Sequence, residues 1–303
     1  MPAQPLHWGT EALWQQLEPL LPGLSVEVVR RTVSTNTALL ERAHAVPEAR
    51  PDGGAAWVRR SVESSAFGRR AVDLQPCLLV AEHQSAGRGR QGRSWQSAPG
   101  ASLTFSLGLA LDAADWSGLS LAVGVALCEA LDAAPPAGPH IGLKWPNDLW
   151  WVDGQAAGRG EGRKLGGILI ETVAAGAQRL AIIGIGLNVL PFDADDVNTG
   201  FAALYELDAQ ATAPAVLARV ALPLVRALKQ FERQGFGAFA ERFAARDVLR
   251  GHPVRTTSAD APEGIACGVS AQGALLLRSA GGIASVSSGE VSVRLAQAPS
   301  AGA

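Results

Sequence analysis

Cysteine is scarce in this chain of 303 residues, which contains only Cys77, Cys128 and Cys267. The three are far apart, none belongs to a Cys-x-x-Cys pair, and an odd number cannot close a disulfide framework. No histidine stands at metal-ligand spacing from any of them. These absences exclude a disulfide-stapled scaffold and indicate ordinary thiols, so we expect a reducing, cytoplasmic compartment.

Charge and long apolar runs are also limited. Charged residues make up 18% of the chain, and 26 Lys and Arg against 28 Asp and Glu give a formal net charge of −2. A nearly neutral chain has no overall field for non-specific nucleic-acid binding. No apolar run reaches about 18 residues, so we predict no membrane span, and residues 1–5 do not begin a signal peptide. With 48% hydrophobic residues, the chain can form a sizeable core.

The order of strand-like and helical runs indicates an α+β protein. The two types alternate irregularly, which predicts a mixed sheet with antiparallel neighbours. We predict strands at 26–33, 76–82, 101–111, 164–173 and 179–190, and an extended segment at 143–152. We predict a helix that starts at 34–36, a helix over 117–131 and a helical block from 214 to about 249. Five short strands separated by glycine turns follow, and this spacing predicts a small β-barrel over 250–295.

Two segments depart from this framework. Residues 47–76 hold several prolines, glycines and arginines with little periodicity, so we expect a long mobile insertion. Residues 153–163 look like a second, glycine-rich loop, and 296–303 like a disordered tail. Only 33 residues precede Ser34. They hold one helix and one strand, too little for a winged DNA-binding domain, so we expect no direct contact with DNA.

The most informative motif is GRGRQGR at 87–93, which follows a predicted buried strand. Glycine lets the backbone approach a ligand closely, and the planar fork of arginine suits carboxylate and phosphate groups. We therefore predict that Arg88 and Arg90 bind a small anionic ligand, with glycine amides as further donors and Arg93 in support. The alternative is a solvated loop or an RGG-like nucleic-acid patch; such patches are usually repeated, and this one is not.

Two further motifs place a charged residue beside a strand. KWPND at 144–148 sets a carboxylate, Asp148, shortly after a proline, where it could hold a metal, orient an amine or pair with an arginine. Its alternative is plain turn chemistry. KLGGILIE at 164–171 opens a strand with Lys164, which could contact a carboxylate and a phosphate together. Its alternative is a lysine on an edge strand.

Amide and hydroxyl groups form the remaining motifs. STN at 34–36 is a helix N-cap by its residue types, and the same three polar groups could bind a ureido or amide head group. Gln84 precedes the arginine motif and can both donate and accept hydrogen bonds. In GIGLNV at 184–189 the glycines make room within a strand, and Asn188 either binds a ligand or braces a loop.

The motifs, in this order, resemble those of the biotin protein ligases. The matching segments are STN at 34–36, EHQSAGRGRQGRSW at 82–95, KWPND at 144–148, KLGGILIE at 164–171 and GIGLNV at 184–189. The resemblance covers nearly everything from 26 to 295. It implies an α+β catalytic domain with a mixed, SH2-like sheet over 1–249 and an SH3-like barrel over 250–295.

The chemistry that this resemblance implies is an ATP-dependent ligation in two steps. Biotin is activated as biotinyl-5′-AMP, and is then transferred to a lysine on a biotin carboxyl carrier domain of acetyl-CoA carboxylase or a related carboxylase. ATP and biotin are the implied substrates, with Mg²⁺ on the phosphates and no metal ligand assigned in the chain. Cations must bring two anions together against Coulomb repulsion. The loop at 87–93 is expected to be mobile when empty and to order over the intermediate.

The resemblance also assigns a role to each motif. The residues implied for biotin are Ser34, Thr35, Asn36, Gln84, Arg88, Gly89, Arg90 and Lys164. The residues implied for the nucleotide are Arg90, Trp95, Asn147 and Asn188. The implied catalytic set is Lys164, Arg88, Arg90 and Asp148, in which Asp148 steers the incoming amine or a metal.

Two other functions compete with this one. A lipoate-type acyl ligase of the same superfamily is the nearest enzyme, and the arginine-rich motif argues against it. A non-catalytic sensor of biotin or nucleotide is the rival from another class, and the presence of Lys164 with both arginines argues for turnover. Family members often pair through sheet edges, so a homodimer is allowed, although no self-complementary edge stands out.

Overall fold

The computed structural model describes residues 6–44, 66–67, 76–133, 139–152, 162–175, 178–192, 200–289 and 291–296. The chain divides into two compact units. The first comprises Met1–Asp112, Leu165–Val197 and Phe201–Arg226, and the second comprises Ala113–Lys164, Asn198–Gly200 and Ala227–Ala303. Most of the predicted insertion at 47–76, of the loop at 153–163 and of the tail at 296–303 lies outside the described residues.

The described part of the chain contains five α-helices, three short 3-10 helices (Arg90–Gly92, Leu204–Glu206 and Phe236–Phe239) and fifteen strands. The helices are α1 (Thr10–Leu17), α2 (Thr35–His44), α3 (Leu119–Leu131), α4 (Ala213–Gln234) and α5 (Ala240–Ala244). The strands up to residue 110 are β1 (Ser25–Thr32), β2 (Ala66–Phe67), β3 (Cys77–Gln84), β4 (Gly87–Arg88), β5 (Ser94–Trp95) and β6 (Ser102–Ala110). The later strands are β7 (Ile141–Lys144), β8 (Asp148–Trp151), β9 (Arg163–Ala175), β10 (Gln178–Asn188), β11 (Pro253–Thr256), β12 (Glu263–Val269), β13 (Leu275–Ser279), β14 (Gly282–Val286) and β15 (Val293–Leu295).

The first unit is built on a mixed sheet, as predicted. Its strands lie in the order β2-β1-β3-β6-β10-β9. β1 is parallel to β3, and every other neighbouring pair in this order is antiparallel. β3 and β6 are buried along most of their length. The first five residues of β3 are apolar, and β6 combines apolar residues with three buried polar ones, Ser102, Thr104 and Ser106, as suits a sheet covered on both faces.

Helix α2 covers part of this sheet. Leu39 packs in a buried cluster with Cys77 and Leu79 of β3 and Ile182 of β10. The helix starts three residues after β1 ends, so the STN motif lies at the junction between strand and helix. Burial of the apolar face of α2 therefore fixes the position of the polar groups at its first turn.

The second unit contains α3, a hairpin and the C-terminal sheet. α3 is buried on nearly all sides, since its sequence is apolar around the whole circumference. β7 and β8 pair antiparallel, with Lys144 opposite Asp148, and the peptide bond between Trp145 and Pro146 in their turn is cis. The prediction of one extended segment over 143–152 is therefore wrong. Pro146 has no N–H to continue a ladder, so the strand ends there and the chain reverses.

The C-terminal strands form a separate antiparallel sheet in the order β14-β13-β12-β11-β15. All five strands were predicted from their glycine-punctuated spacing. β14 and β15 are the outer strands, and within the described residues no ladder joins them into a closed barrel. A search of the same residues finds no helix that is long and apolar enough to cross a membrane.

Candidate active site

A cluster of polar side chains lies within the first unit, where α2 begins against the sheet. We call it the polar floor, and it consists of Thr35, Asn36, Gln84, Ser106 and Glu171. The first four are buried, with at most 8% of their surface exposed. Buried polar groups are costly unless they are hydrogen-bonded, so each should have defined partners.

Gln84 anchors the start of α2. Its Oε1 accepts hydrogen bonds from the backbone N–H of Thr35 at 2.7 Å and from the hydroxyl of Thr35 at 3.1 Å. Within the described part of the chain, this leaves the Nε2 hydrogens of Gln84 for another acceptor. Ser34 Oγ accepts the backbone N–H of Thr37 at 3.4 Å, which confirms the predicted N-cap.

The side-chain amide of Asn36 is hydrogen-bonded through both its nitrogen and its oxygen. Its Nδ2 donates to the carbonyl of Leu169 at 3.1 Å and to Glu171 Oε2 at 2.9 Å, and its Oδ1 accepts from Ser106 Oγ at 2.6 Å. The amide lies directly over Gly184, where any Cβ would collide with it. The sequence predicted that glycine in β10 leaves space for another group, and at Gly184 that group is the amide of Asn36.

The GRGRQGR motif forms a short hairpin, which we call the arginine hairpin (87–95). β4 pairs with β5, and Gly89 N donates to Arg93 O at 2.7 Å. Gln91 at the tip has φ 56°, in the left-handed region. A Cβ on Gly87 would collide with the carbonyl of Trp95, so the pairing of the two strands requires glycine at this position.

The three arginines of the hairpin differ in their surroundings. Arg88 forms an ion pair with Glu171, Nη2 to Oε1 at 2.7 Å, and its Nη1 donates to Thr37 Oγ1 at 3.3 Å. Its side chain is 45% exposed. Arg90 is half-buried in the turn, whereas Arg93 is exposed and its Nη2 reaches Gln91 Oε1 at 3.5 Å.

Two residues predicted for the nucleotide also lie in the first unit. The ring of Trp95 packs on Gly186, and a Cβ there would collide with it. Asn188 is buried, and its Nδ2 donates to the carbonyl of Ala202 at 3.0 Å. This contact is the bracing alternative that the sequence left open, and a role for Asn188 in nucleotide binding stays a prediction.

The second unit contains the other charged candidates. Lys164 Nζ pairs with Asp148 Oδ1 at 2.8 Å, and Asn147 lies beside Asp148 in the turn of the β7–β8 hairpin. Trp145 in the same turn is 1% exposed, and its Nε1 donates to the carbonyl of Gly273 at 3.0 Å. The hairpin that carries Asp148 is thereby tied to the segment between β12 and β13.

Ser106 and Glu171 are site residues that the sequence did not single out. Ser106 lies within the apolar run of β6, and Glu171 closes the quoted KLGGILIE motif without having been given a role. The local sign for Ser106 was a period of two in β6, where Ser102, Thr104 and Ser106 alternate with apolar residues and so share one face of the strand. Their importance comes from contacts with residues 36 and 88, which are distant along the chain.

The fold and these groups define a class of protein, the biotin and lipoate ligases. The profile described as "Biotin/lipoate A/B protein ligase family" matches residues 74–188, and the one described as "Biotin protein ligase C terminal domain" matches residues 251–294. The biotin–[acetyl-CoA-carboxylase] ligase of Mycobacterium tuberculosis is 32% identical over 93% of this chain and 91% of its own length. The chain belongs to the biotin protein ligase family.

Other relatives agree with this assignment. The bifunctional ligase/repressor BirA of Salmonella typhimurium is 35% identical over 72% of this chain, and the match spans 67% of the BirA length. A solved structure, the biotin protein ligase from Aquifex aeolicus in complex with biotin and ATP, covers 89% of this chain and 99% of its own. Its TM-score is 0.66 at 24% identity, so it supports the fold.

Proposed function

We propose that this chain is a biotin–[acetyl-CoA-carboxylase] ligase that works in two steps. A biotin carboxylate oxygen attacks the α-phosphorus of ATP, and the bond from that phosphorus to the bridging oxygen of pyrophosphate breaks. The neutral ε-amine of an acceptor lysine then attacks the acyl carbon of biotinyl-5′-AMP. An amide forms, AMP leaves, and one proton is released.

The polar floor is the observation that carries the substrate side of this proposal. The ureido group of biotin is uncharged and both donates and accepts hydrogen bonds, so it suits a buried set of hydroxyl and amide groups. Ser34, Thr35, Asn36 and Gln84 are our residues for this group. The site favours biotin over lipoate, because the ureido oxygen can accept from Gln84 Nε2, which is left for another acceptor, whereas the dithiolane ring of lipoate offers no comparable acceptor.

The cationic residues are proposed for the activation step. Arg88, Arg90 and Lys164 would lower the repulsion between the biotin carboxylate and the α-phosphate, with the Gly89 amide as an additional donor. Trp95, Asn147 and Asn188 are proposed for the nucleotide. The arginine hairpin would close over the intermediate and exclude the water that hydrolyses a mixed anhydride.

Mg²⁺ is proposed to enter with ATP. No group of three His, Cys, Asp or Glu side chains within the described residues could hold a metal ion. Magnesium in nucleotide sites is commonly held by phosphate oxygens and one or two carboxylates, which fits this donor set. The ion would neutralise phosphate charge, and Asp148 is the candidate carboxylate near either the metal or the acceptor amine.

The acceptor, the domains and the compartment complete the proposal. The acceptor is a biotin carboxyl carrier domain of acetyl-CoA carboxylase or a related carboxylase. We propose a catalytic domain of SH2-like arrangement over 1–249 and an SH3-like barrel over 250–295, a boundary supported by the profile match that begins at 251. The described cysteines form no disulfide, in keeping with a cytoplasmic site of action. Homodimer formation stays a prediction, and no DNA partner is included.

Radioactive exchange between pyrophosphate and ATP tests the first step. Exchange should require biotin, and lipoate should not replace it. Incubation with a carrier domain and biotin should label one lysine of the carrier by mass spectrometry. A folded protein that binds biotin but shows neither exchange nor labelling would be a sensor, and support of exchange by lipoate would identify the other ligase.

A further inference from the structure

Glu171 touches two parts of the candidate site through its two carboxylate oxygens. Oε2 accepts from Asn36 of the polar floor at 2.9 Å, and Oε1 accepts from Arg88 of the arginine hairpin at 2.7 Å. The residue lies on β9 and is half-buried. One side chain therefore links the helix N-terminus to the hairpin.

The hydrogen bonds around Asn36 have only one consistent direction. Both Nδ2 hydrogens are used, by the Leu169 carbonyl and by Glu171, so the Asn36 Oδ1 must be the acceptor for Ser106. The hydroxyl of Ser106 also lies 2.6 Å from that of Thr35. Thr35 has one hydroxyl proton, which it can donate either to Ser106 or to Gln84 Oε1 at 3.1 Å. The resulting chain runs from Thr35 through Ser106 and Asn36 to Glu171, where a negative acceptor completes it.

The contact with Glu171 orients the Arg88 side chain and leaves some of its N–H donors available. Guanidinium has five N–H donors, and the two contacts of Arg88 with Glu171 and Thr37 engage two of them. The others stay available for an anionic ligand. Because Arg88 is 45% exposed, the ion pair should add little to the stability of the fold, on the order of 1 kcal/mol or less.

We propose that Glu171 is a positioning residue, which holds Arg88 in the geometry for ligand binding and orders the polar floor through Asn36. The identity of the ligand in this statement rests on the proposed function. The position of the arginine hairpin in the ligand-free chain does not, so the two can be tested separately.

Trypsin gives a test that needs no activity, because the hairpin itself contains three cleavage sites. Glu171→Gln keeps the shape of the side chain but removes the charge that holds Arg88. Cleavage after Arg88 and Arg90 in the ligand-free variant, measured by mass spectrometry, should be about fivefold faster than in the wild type. The estimate follows from the coupling of about 1 kcal/mol expected for residues in contact.

Two further variants keep this test decisive. Glu263→Gln removes one carboxylate of an exposed ion pair with Arg255 on the C-terminal sheet and should leave hairpin cleavage at the wild-type rate. Arg88→Gln breaks the same contact from the other side, so it should accelerate cleavage after Arg90 as Glu171→Gln does. The double variant should show no further increase. Wild-type rates in both single variants, or additive effects in the double variant, would overturn the proposal.

The kinetic test uses the complete enzyme with biotin and ATP. Dissociation of biotinyl-5′-AMP should be about tenfold faster in Glu171→Gln, and much less so when Arg88→Gln is already present, which corresponds to a coupling of about 1.4 kcal/mol. Independent effects of the two substitutions would contradict the positioning role. If the wild type forms no adenylate at all, the proposed function fails, and the proteolysis result still decides the role of Glu171.

Discussion

At the scale of single residues, two of the cations proposed for the activation step each form an ion pair with a carboxylate. Arg88 is bonded to Glu171, and Lys164 to Asp148. Lys164 and Asp148 are 28% and 15% exposed, so removal of one of them leaves the other charge in a poorly solvated place. Arg88 is 45% exposed, so its pair with Glu171 is more strongly screened by solvent. The effect of a substitution at one of these positions therefore includes the effect on the partner that stays behind.

Lys164→Ala should block formation of biotinyl-5′-AMP. The change removes the cation proposed to lie between the two reacting anions and leaves Asp148 without its partner, so we expect the biotin-dependent exchange rate to fall by at least about 100-fold. Lys229→Ala is the matched control, because Lys229 also pairs with a carboxylate, Glu232, on α4. A Lys164→Ala variant with exchange at the control rate would remove this lysine from the site.

Asp247 should make the stability of the protein depend on pH. Burial raises the pKa of this carboxyl from 3.8 to about 6, against the opposing effect of its hydrogen bond from Leu249 N. The folded state therefore binds the proton more tightly than the unfolded state. The free energy of unfolding should fall as the pH rises from about 4 to about 6, by on the order of 3 kcal/mol from this group.

Asp247→Asn should remove that contribution. Urea unfolding at a series of pH values between 4 and 7.5 measures the difference between wild type and variant, which should grow in favour of the variant as the pH rises. Asp260→Asn, at an exposed position in the loop between β11 and β12, is the control. Parallel pH curves for wild type and Asp247→Asn would show that the carboxyl does not titrate in this range.

At the scale of elements, β10 shows why glycine occurs inside a buried strand. Gly184 lies against the amide of Asn36, and Gly186 lies against the ring of Trp95. Neither side chain could keep its place beside even a methyl group. The glycines of β10 therefore allow Asn36 and Trp95 to pack directly against the strand.

Gly184→Ala should weaken the binding of biotin. The added methyl displaces Asn36 and so disturbs its bonds to Ser106 and Glu171, for which we expect a rise of at least tenfold in the dissociation constant of biotin by calorimetry. Gly237→Ala is a suitable control, since a Cβ at that position meets nothing within 4 Å. Equal affinities in the two variants would place Asn36 outside the biotin site.

The elements were easier to predict than the contacts between them. Long apolar runs gave β6 and α3 closely, and punctuation by glycine gave all five C-terminal strands. The hairpin of β7 and β8 was missed because its two strands are only four residues long and both are apolar, so they look like one segment. Ser106 and Glu171 could not be found locally, since their partners are 70 and 83 residues away in sequence.

At the scale of the whole molecule, the C-terminal segment contributes to the same unit as the β7–β8 hairpin. The indole of Trp145 donates to the carbonyl of Gly273, and Gly273 has a φ of 78° beside Gly118, where a Cβ would crowd the backbone. The C-terminal sheet therefore supports the turn that carries Asp148. It is part of the framework of the proposed chemistry rather than an independent appendage.

Trp145→Phe should test that link. Loss of the indole N–H leaves a buried carbonyl without its donor, which should lower the free energy of unfolding by about 1–3 kcal/mol and also reduce the exchange rate. Trp116→Phe removes a comparable indole bond, to Ala113, at a less buried position. The proposal requires a larger loss of exchange in Trp145→Phe than in Trp116→Phe, measured well below the midpoint of unfolding.

The carboxylates bonded to Arg88 and Lys164 also bear on how the ligand-free protein behaves in a cell full of inorganic anions. An unpartnered ammonium or guanidinium group would attract phosphate, sulfate or chloride. Here each cation already has an internal counter-ion, whose negative charge weakens the attraction of the cation for a simple anion. The ligand-free protein should therefore tolerate these salts, and a ligand that also fills the polar floor gains contacts that a simple anion lacks.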